Sequence, residues 1–213
     1  MNGFAQRVVR GDDVEPELER LGLTPAFVRE VAERAAAARA EATPLDPVGT
    51  AGLRSYQMGT RAIRERLLPL GWIMAHDGNV ESTVNHELGI QLIFQNVGLA
   101  CGPADPEAIS GKGAASRKLI NAGQGELFSS TDSVVVLGTV PTVWLVCVSA
   151  DEQTLRAEVS CPASFEGAQF NGFQRRLIVV EDLLTDRPLP RRTDVDVGVP
   201  DELLDVPVIK KVT

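Results

Sequence analysis

The stretch Ser133–Cys161, SVVVLGTVPTVWLVCVSADEQTLRAEVSC, decides the fold class. Ser133 to Val140 is apolar and β-branched, and after Pro141 the run resumes from Val143 to Ser149. Leu155, Ala157, Val159 and Cys161 then alternate with Arg156, Glu158 and Ser160, the period of two that belongs to a strand. With Asp151-Glu152-Gln153 as a polar tip, the runs read as a β-hairpin with one buried face. On that reading Arg156, Glu158 and Ser160 form its exposed row. The apolar run from Val134 to Val148 is broken by Gly138, Thr139, Pro141 and Thr142, short of the roughly 20 residues that a membrane helix needs.

Upstream, Leu88, Ile90, Leu92 and Phe94 alternate and Gly89 interrupts a helix, so a strand is expected at 90–97. Val84, Leu88 and Leu92 equally suit a continuing helix. The turn His76-Asp77-Gly78-Asn79 is expected to open a helix carrying Glu81 and Thr83 in its first turn. Before it, Leu53, Tyr56, Thr60, Ile63 and Leu67 recur by three and four, the stripe of an amphipathic helix ended by Pro69-Leu70-Gly71. Beside that stripe Arg54, Gln57, Arg61 and Arg64 form a second one, read either as a solvated flank or as a row facing phosphates.

Two short helices are expected at the start, Asp12 to Leu21 and a second opened by Thr24-Pro25, a hydroxyl cap with proline in the first turn. Downstream of residue 97, 98–113 reads as loop, Ala114 to Ala122 as a short helix, Ala163 to Gln174 as loop or broken helix, and Arg176 to Val180 as a last strand. From Leu183 prolines and aspartates preclude a regular helix, while Val195, Val197, Val199, Val206 and Val208 suit an extended arm docked on a surface. The expected class is α+β: N-terminal helices (1–43), a mixed or antiparallel sheet core with flanking helices (44–182) and an extended C-terminal arm (183–213).

The 213 residues are 44% hydrophobic and 23% charged, as in ordinary folded domains. Cys101, Cys147 and Cys161 lack metal or redox spacing and fit buried free thiols. No secretory signal is legible at the N-terminus, and a cytoplasmic protein is expected. The net charge of −8 argues against nonspecific coating of nucleic acid, though not against a local basic groove.

The motifs narrow the chemistry. In Ser110–Ser116, SGKGAAS, glycines before a helix start can aim N–H groups at an anion, with Lys112 adding charge. Pro106 and Gly113 stand where a nucleotide-triphosphate loop needs glycine and a hydroxyl residue. His76 and His86, the only histidines, do not match zinc spacing, and no nucleophile elbow is present. Trp72 and Trp144 read as core, and Tyr56 is the only tyrosine, which leaves few platforms for stacking bases.

A helix bearing Glu81 and Glu87, a strand, antiparallel strands, a glycine-rich segment and a last strand form an order that resembles the restriction-endonuclease-like nucleases. The resemblance covers about 79–181. It implies DNA as partner and a magnesium ion held by Asp132, before the Val134 strand, and Glu158, with Glu87 or Glu81 assisting from the helix. Magnesium prefers such oxygen ligands and activates water for phosphodiester attack. Where that superfamily carries a lysine two residues after the strand acid, this chain has Ser160, so binding with a degenerate site is equally implied. The expected nucleic-acid contacts are Arg54, Arg61, Arg64, Lys112 and Arg117. The alternative function is a non-enzymatic interaction module; a homodimer is expected on either.

Overall fold

Val143, Leu145 and Cys147 face one way along their strand and Trp144, Val146 and Val148 the other, and all six are buried. A strand apolar on both sides needs a cover on each face, and the chain supplies two. The computed structural model describes residues 7–77, 80–109, 120, 140–166 and 169–183. They form helices α1 (Val14–Glu19), α2 (Pro25–Ala40) and α3 (Thr50–Leu67) and strands β1 (Arg7–Val9), β2 (Ile73–Asp77), β3 (Val80–Asn85), β4 (Ile90–Asn96), β5 (Thr142–Ala150), β6 (Thr154–Pro162), β7 (Phe165–Glu166), β8 (Gln169–Phe170) and β9 (Phe173–Leu183). Seven strands make one mixed sheet in the order β1-β9-β6-β5-β4-β3-β2, and β7 pairs with β8 in a small ribbon. The α+β class expected from the sequence is the one observed. No helix among the described residues is long and apolar enough to cross a membrane.

The helices cover one face. Thr24 caps α2 by accepting from the Phe27 N–H at 3.2 Å, with Pro25 at the first position. Val28, Val31, Ala32 and Ala35 then meet Val146, Ala157 and Leu177 in one buried cluster. Helix α3 lies against β4 at Gly59, where an added Cβ would stand 2.2 Å from the Phe94 ring, so only glycine permits this approach. Gly71, at φ 87°, ends the helical segment as expected.

The other face is covered by 97–101 and by the aromatic trio Phe165, Phe170 and Phe173, which pack against Ile93, Leu145, Cys147 and Ile178. Phe165 and Phe170 meet edge to face at 5.4 Å between ring centroids. The hairpin of β5 and β6 is present, its turn held by Asp151, which accepts from the Gln153 and Thr154 N–H groups at 2.8 and 2.7 Å and from the Thr154 hydroxyl. These donors, the Gln153 amide foremost, hold the Asp151 carboxyl below its ordinary range.

Several expectations are corrected. The hairpin has two buried faces, not one: Glu158 and Ser160 are 0% exposed, because segment 97–101 closes over them. The segment expected as a helix from Asn79 is strand β3, and Glu87 stands in the exposed turn that follows. Val80, Ser82, Thr83 and Val84 are all buried, and β3 is paired on both sides, with β2 and with β4. Those tertiary pairings override the local helical reading. His76 and Asp77, read as turn, lie on β2. Residues 163–174 contain the ribbon, and the last strand runs from Phe173 to Leu183. Lys112, Arg117 and Asp132, the helix expected over 114–122 apart from Ile120, the strand expected from Ser133 except Val140, and the arm after Leu183 lie outside the described residues.

Candidate functional site

Glu158 sits on the face of β6 opposite the helices. The β6–β9 register shifts between Ala157 and Glu158, and this places Arg176 diagonally beside the glutamate. Arg176 grips Glu158 with two bonds, Nε to Oε1 at 2.9 Å and Nη2 to Oε2 at 2.7 Å. Ser160 donates to Oε1 at 2.7 Å, and the Cys101 N–H to Oε2 at 2.6 Å. Arg176 reaches further to the Ala104 carbonyl and to Asp105. Burial opposes its charge, but the bonds and field of Glu158 outweigh that and leave the guanidinium pKa raised. Each carboxylate oxygen therefore already accepts two hydrogen bonds, one of them from a cation. Glu158 in this state does not fit a magnesium ligand, since its lone pairs are occupied by protein donors and its countercharge is supplied by Arg176.

The lock pins the segment that covers it. Cys101 takes a left-handed backbone, φ 62°, rare for a side chain. Its thiol donates to the Ala157 and Val180 carbonyls, and its own carbonyl accepts from Arg10 at 2.7 Å. Burial, then the negative fields of Glu158 and Glu181, push the thiol up to about 12, which makes it inert as a nucleophile at neutral pH.

The arginine stripe of α3 is occupied by carboxylates. Arg54 lies 3.4 Å from Asp46, Arg61 2.6 Å from Glu65, and Arg64 2.5 Å from Glu81. Glu81 also meets His76, and the Arg64 bond is the main cause that lowers its pKa. The same holds along the chain. Every described arginine lies within 4.0 Å of a carboxylate except Arg39 and Arg156.

Those two exceptions line one cleft, a cavity of about 240 Å³ at the carboxyl ends of the parallel neighbours β4 and β5. Arg39 comes from the last turn of α2, Arg156 from β6, and Ser55, Asn96, Ser149 and Asp151 complete the polar lining. Crevices at this end of parallel strands are the usual ligand seats of open sheets. Ser55 donates to Asn96 Oδ1 at 2.7 Å, and Asn96 donates to the Gly52 carbonyl, which fixes the end of β4 against α3. Ser149 accepts from the Ala100 N–H at 3.0 Å, leaving its own proton for an acceptor. Asp151 spends its oxygens within its own turn. The lining is thus rich in unspent donors.

Glu158 and Asp132 are not seen together, because Asp132 is outside the described residues, and Glu87 is exposed in the turn after β3. Among the described residues no group of three or more histidine, cysteine, aspartate or glutamate side chains is placed to hold a metal ion. Arg39, Arg156 and Arg176 were not among the site residues expected from sequence. Arg39 closes the alanine run Ala35–Ala38 and Arg156 stands two residues before Glu158 in the alternating strand, and nothing in the sequence shows that either lacks a partner. No family model, curated protein or solved structure matches this chain.

Proposed function

We propose that this chain binds a polynucleotide through its phosphate, seated in the cleft of Arg39 and Arg156, and does not cut it through Glu158. One observation carries the reading: among described arginines, each paired with a carboxylate elsewhere, the two without one line the same cavity. Guanidinium groups match phosphate oxygens in charge and geometry. Glu158 is assigned to structure because its oxygens are filled by Arg176, Ser160 and Cys101.

The test is binding of labelled oligonucleotides followed by fluorescence anisotropy across a salt series. Arg39→Gln and Arg156→Gln should each weaken binding and each lower the salt slope by about one. A nicking assay with and without magnesium accompanies it. Cleavage that Glu158→Gln abolishes while the fold persists would overturn the assignment of Glu158, and a wild type that binds no oligonucleotide at low salt would overturn the reading itself.

A second reading, self-association into a homodimer, has its own observation. Among the described residues strand β2 is an edge of the sheet, and Ile73 and Met74 on it are 48% and 61% exposed. It carries neither proline nor lysine to block edge pairing. Light scattering should show a dimer that Ala75→Pro dissociates; a monomer at all concentrations excludes it.

A further inference from the structure

We infer that the cleft takes the terminal phosphate monoester of a polynucleotide strand and not an internal phosphodiester, an inference that rests on the phosphate-binding reading above. The cleft is small. A cavity of about 240 Å³ is below the roughly 300 Å³ at which pockets begin to bury a whole small-molecule ligand. A phosphate group fits this volume, and a nucleotide bound there would leave much of its sugar and base outside.

Access is restricted as well. Among the described residues the end of α2, the first turns of α3, the end of β4 with Val97–Leu99, the tip of the β5–β6 hairpin, and Ile109 line the cavity from several sides. An internal phosphate must enter with a sugar on each side and leave room for the chain to pass, whereas a strand end enters with one.

The lining chemistry agrees. No described residue in it is aromatic, so nothing there stacks a base. Two guanidiniums without a carboxylate within 4.0 Å among the described residues and the Ser149 hydroxyl stand against one carboxylate, Asp151, whose oxygens are engaged in its own turn and which feels Arg156 only through its field. A monoester, with nearly two charges and three terminal acceptor oxygens, uses this donor set more fully than a diester with one charge. The net charge of −8 further disfavours following a long polyanion beyond the seat.

The experiment uses the full chain and single-stranded oligonucleotides of one sequence bearing a 5′-phosphate, a 3′-phosphate or only hydroxyl ends. Binding to at least one phosphorylated form should be tenfold or more tighter than to the hydroxyl form. The preference should vanish in the Arg39→Gln/Arg156→Gln protein and recover in part in Arg39→Lys/Arg156→Lys. Should the glutamine variant fail to fold, inorganic phosphate titrated into the wild type must displace the phosphorylated strand selectively. Equal binding of phosphorylated and hydroxyl ends overturns the inference and leaves the broader reading standing. No binding of any strand overturns both. A phosphoserine peptide held as tightly as the phosphorylated strand overturns the assignment to a polynucleotide.

Discussion

Arg156 and Glu158 stand two residues apart on the same face of β6, yet they belong to opposite kinds of site. Glu158 is 0% exposed and has its charge answered by Arg176, its oxygens filled, and a covering segment locked over it. Arg156 lies at the strand's open end with no carboxylate of the described residues within 4.0 Å, facing a cleft that it shares with Arg39. The comparison teaches that a charge is not informative by its presence. A saturated ionic group contributes to structure, and an unsaturated one in a cavity is available to a ligand.

The largest expected effect tests the saturated side. Glu158→Ala or Arg176→Ala leaves a buried charge without its partner and should destabilise the protein by about 3–5 kcal/mol. For a chain of this size that lowers the melting temperature by about 10 °C, read by circular dichroism. The joint replacement Glu158→Leu/Arg176→Met should recover much of the loss. A single variant as stable as the wild type would show that the lock is dispensable.

Cys101 gives the next effect. Its thiol is raised in the folded protein from 9.0 to about 12, so the folded state holds this proton more tightly than the unfolded one. The resulting stability is fully present below pH 9.0 and declines as pH rises toward about 12. Urea unfolding at stepped pH should show that decline in the wild type and a shallower one in Cys101→Ala. A thiol reagent at pH 8 should label none of Cys101, Cys147 and Cys161 in the native protein, all three being buried thiols. It should reach Cys101 in Glu158→Ala, whose covering segment has lost an anchor.

On the unsaturated side the expected change is close to nothing. Arg39→Gln and Arg156→Gln should alter stability by less than about 0.5 kcal/mol, because no ion pair is lost, while they remove ligand binding. A loss as large as that at Arg176 would dissolve the distinction between the two regions.

The smallest effect belongs to an intermediate case, the partly exposed trio of Glu81, Arg64 and His76. Glu81 is depressed below 4.5, first by the Arg64 bond, so its contribution is present above that value and fades as pH falls through the folded pKa. With a third of its side chain in solvent, screening holds the effect to about 0.5 kcal/mol or less. Comparing wild type with Glu81→Gln at pH 7 and pH 3 checks it: the difference should be confined to pH 7.

Much of the fold was legible in the chain. The Thr24-Pro25 cap, the three-and-four stripe from Leu53 to Leu67 and the Asp151 turn are local patterns, and local hydrogen bonds and side-chain periods suffice to determine them, whereas the strand near 90–97 competed with a helical reading until its pairing decided it. Strand β3 was not, because Glu81, Val84 and Glu87 suit a helix in isolation, and the pairing with β2 and β4 decides otherwise. The sites depended still more on tertiary structure. Glu158 in an alternating strand looks like a solvent-facing acid until segment 97–101 closes over it and a register shift brings up Arg176 from β9. Arg39 and Arg156, far apart in the sequence, acquire meaning only where the end of α2 and β6 converge on one cavity. Sequence by itself determined the α+β class, the capped helix α2, the helix α3 and the β5–β6 hairpin, since those follow from neighbours along the chain. Which charge answers which, and which is left over, was decided by the packed structure, because electrostatic pairing acts through space and ignores sequence distance.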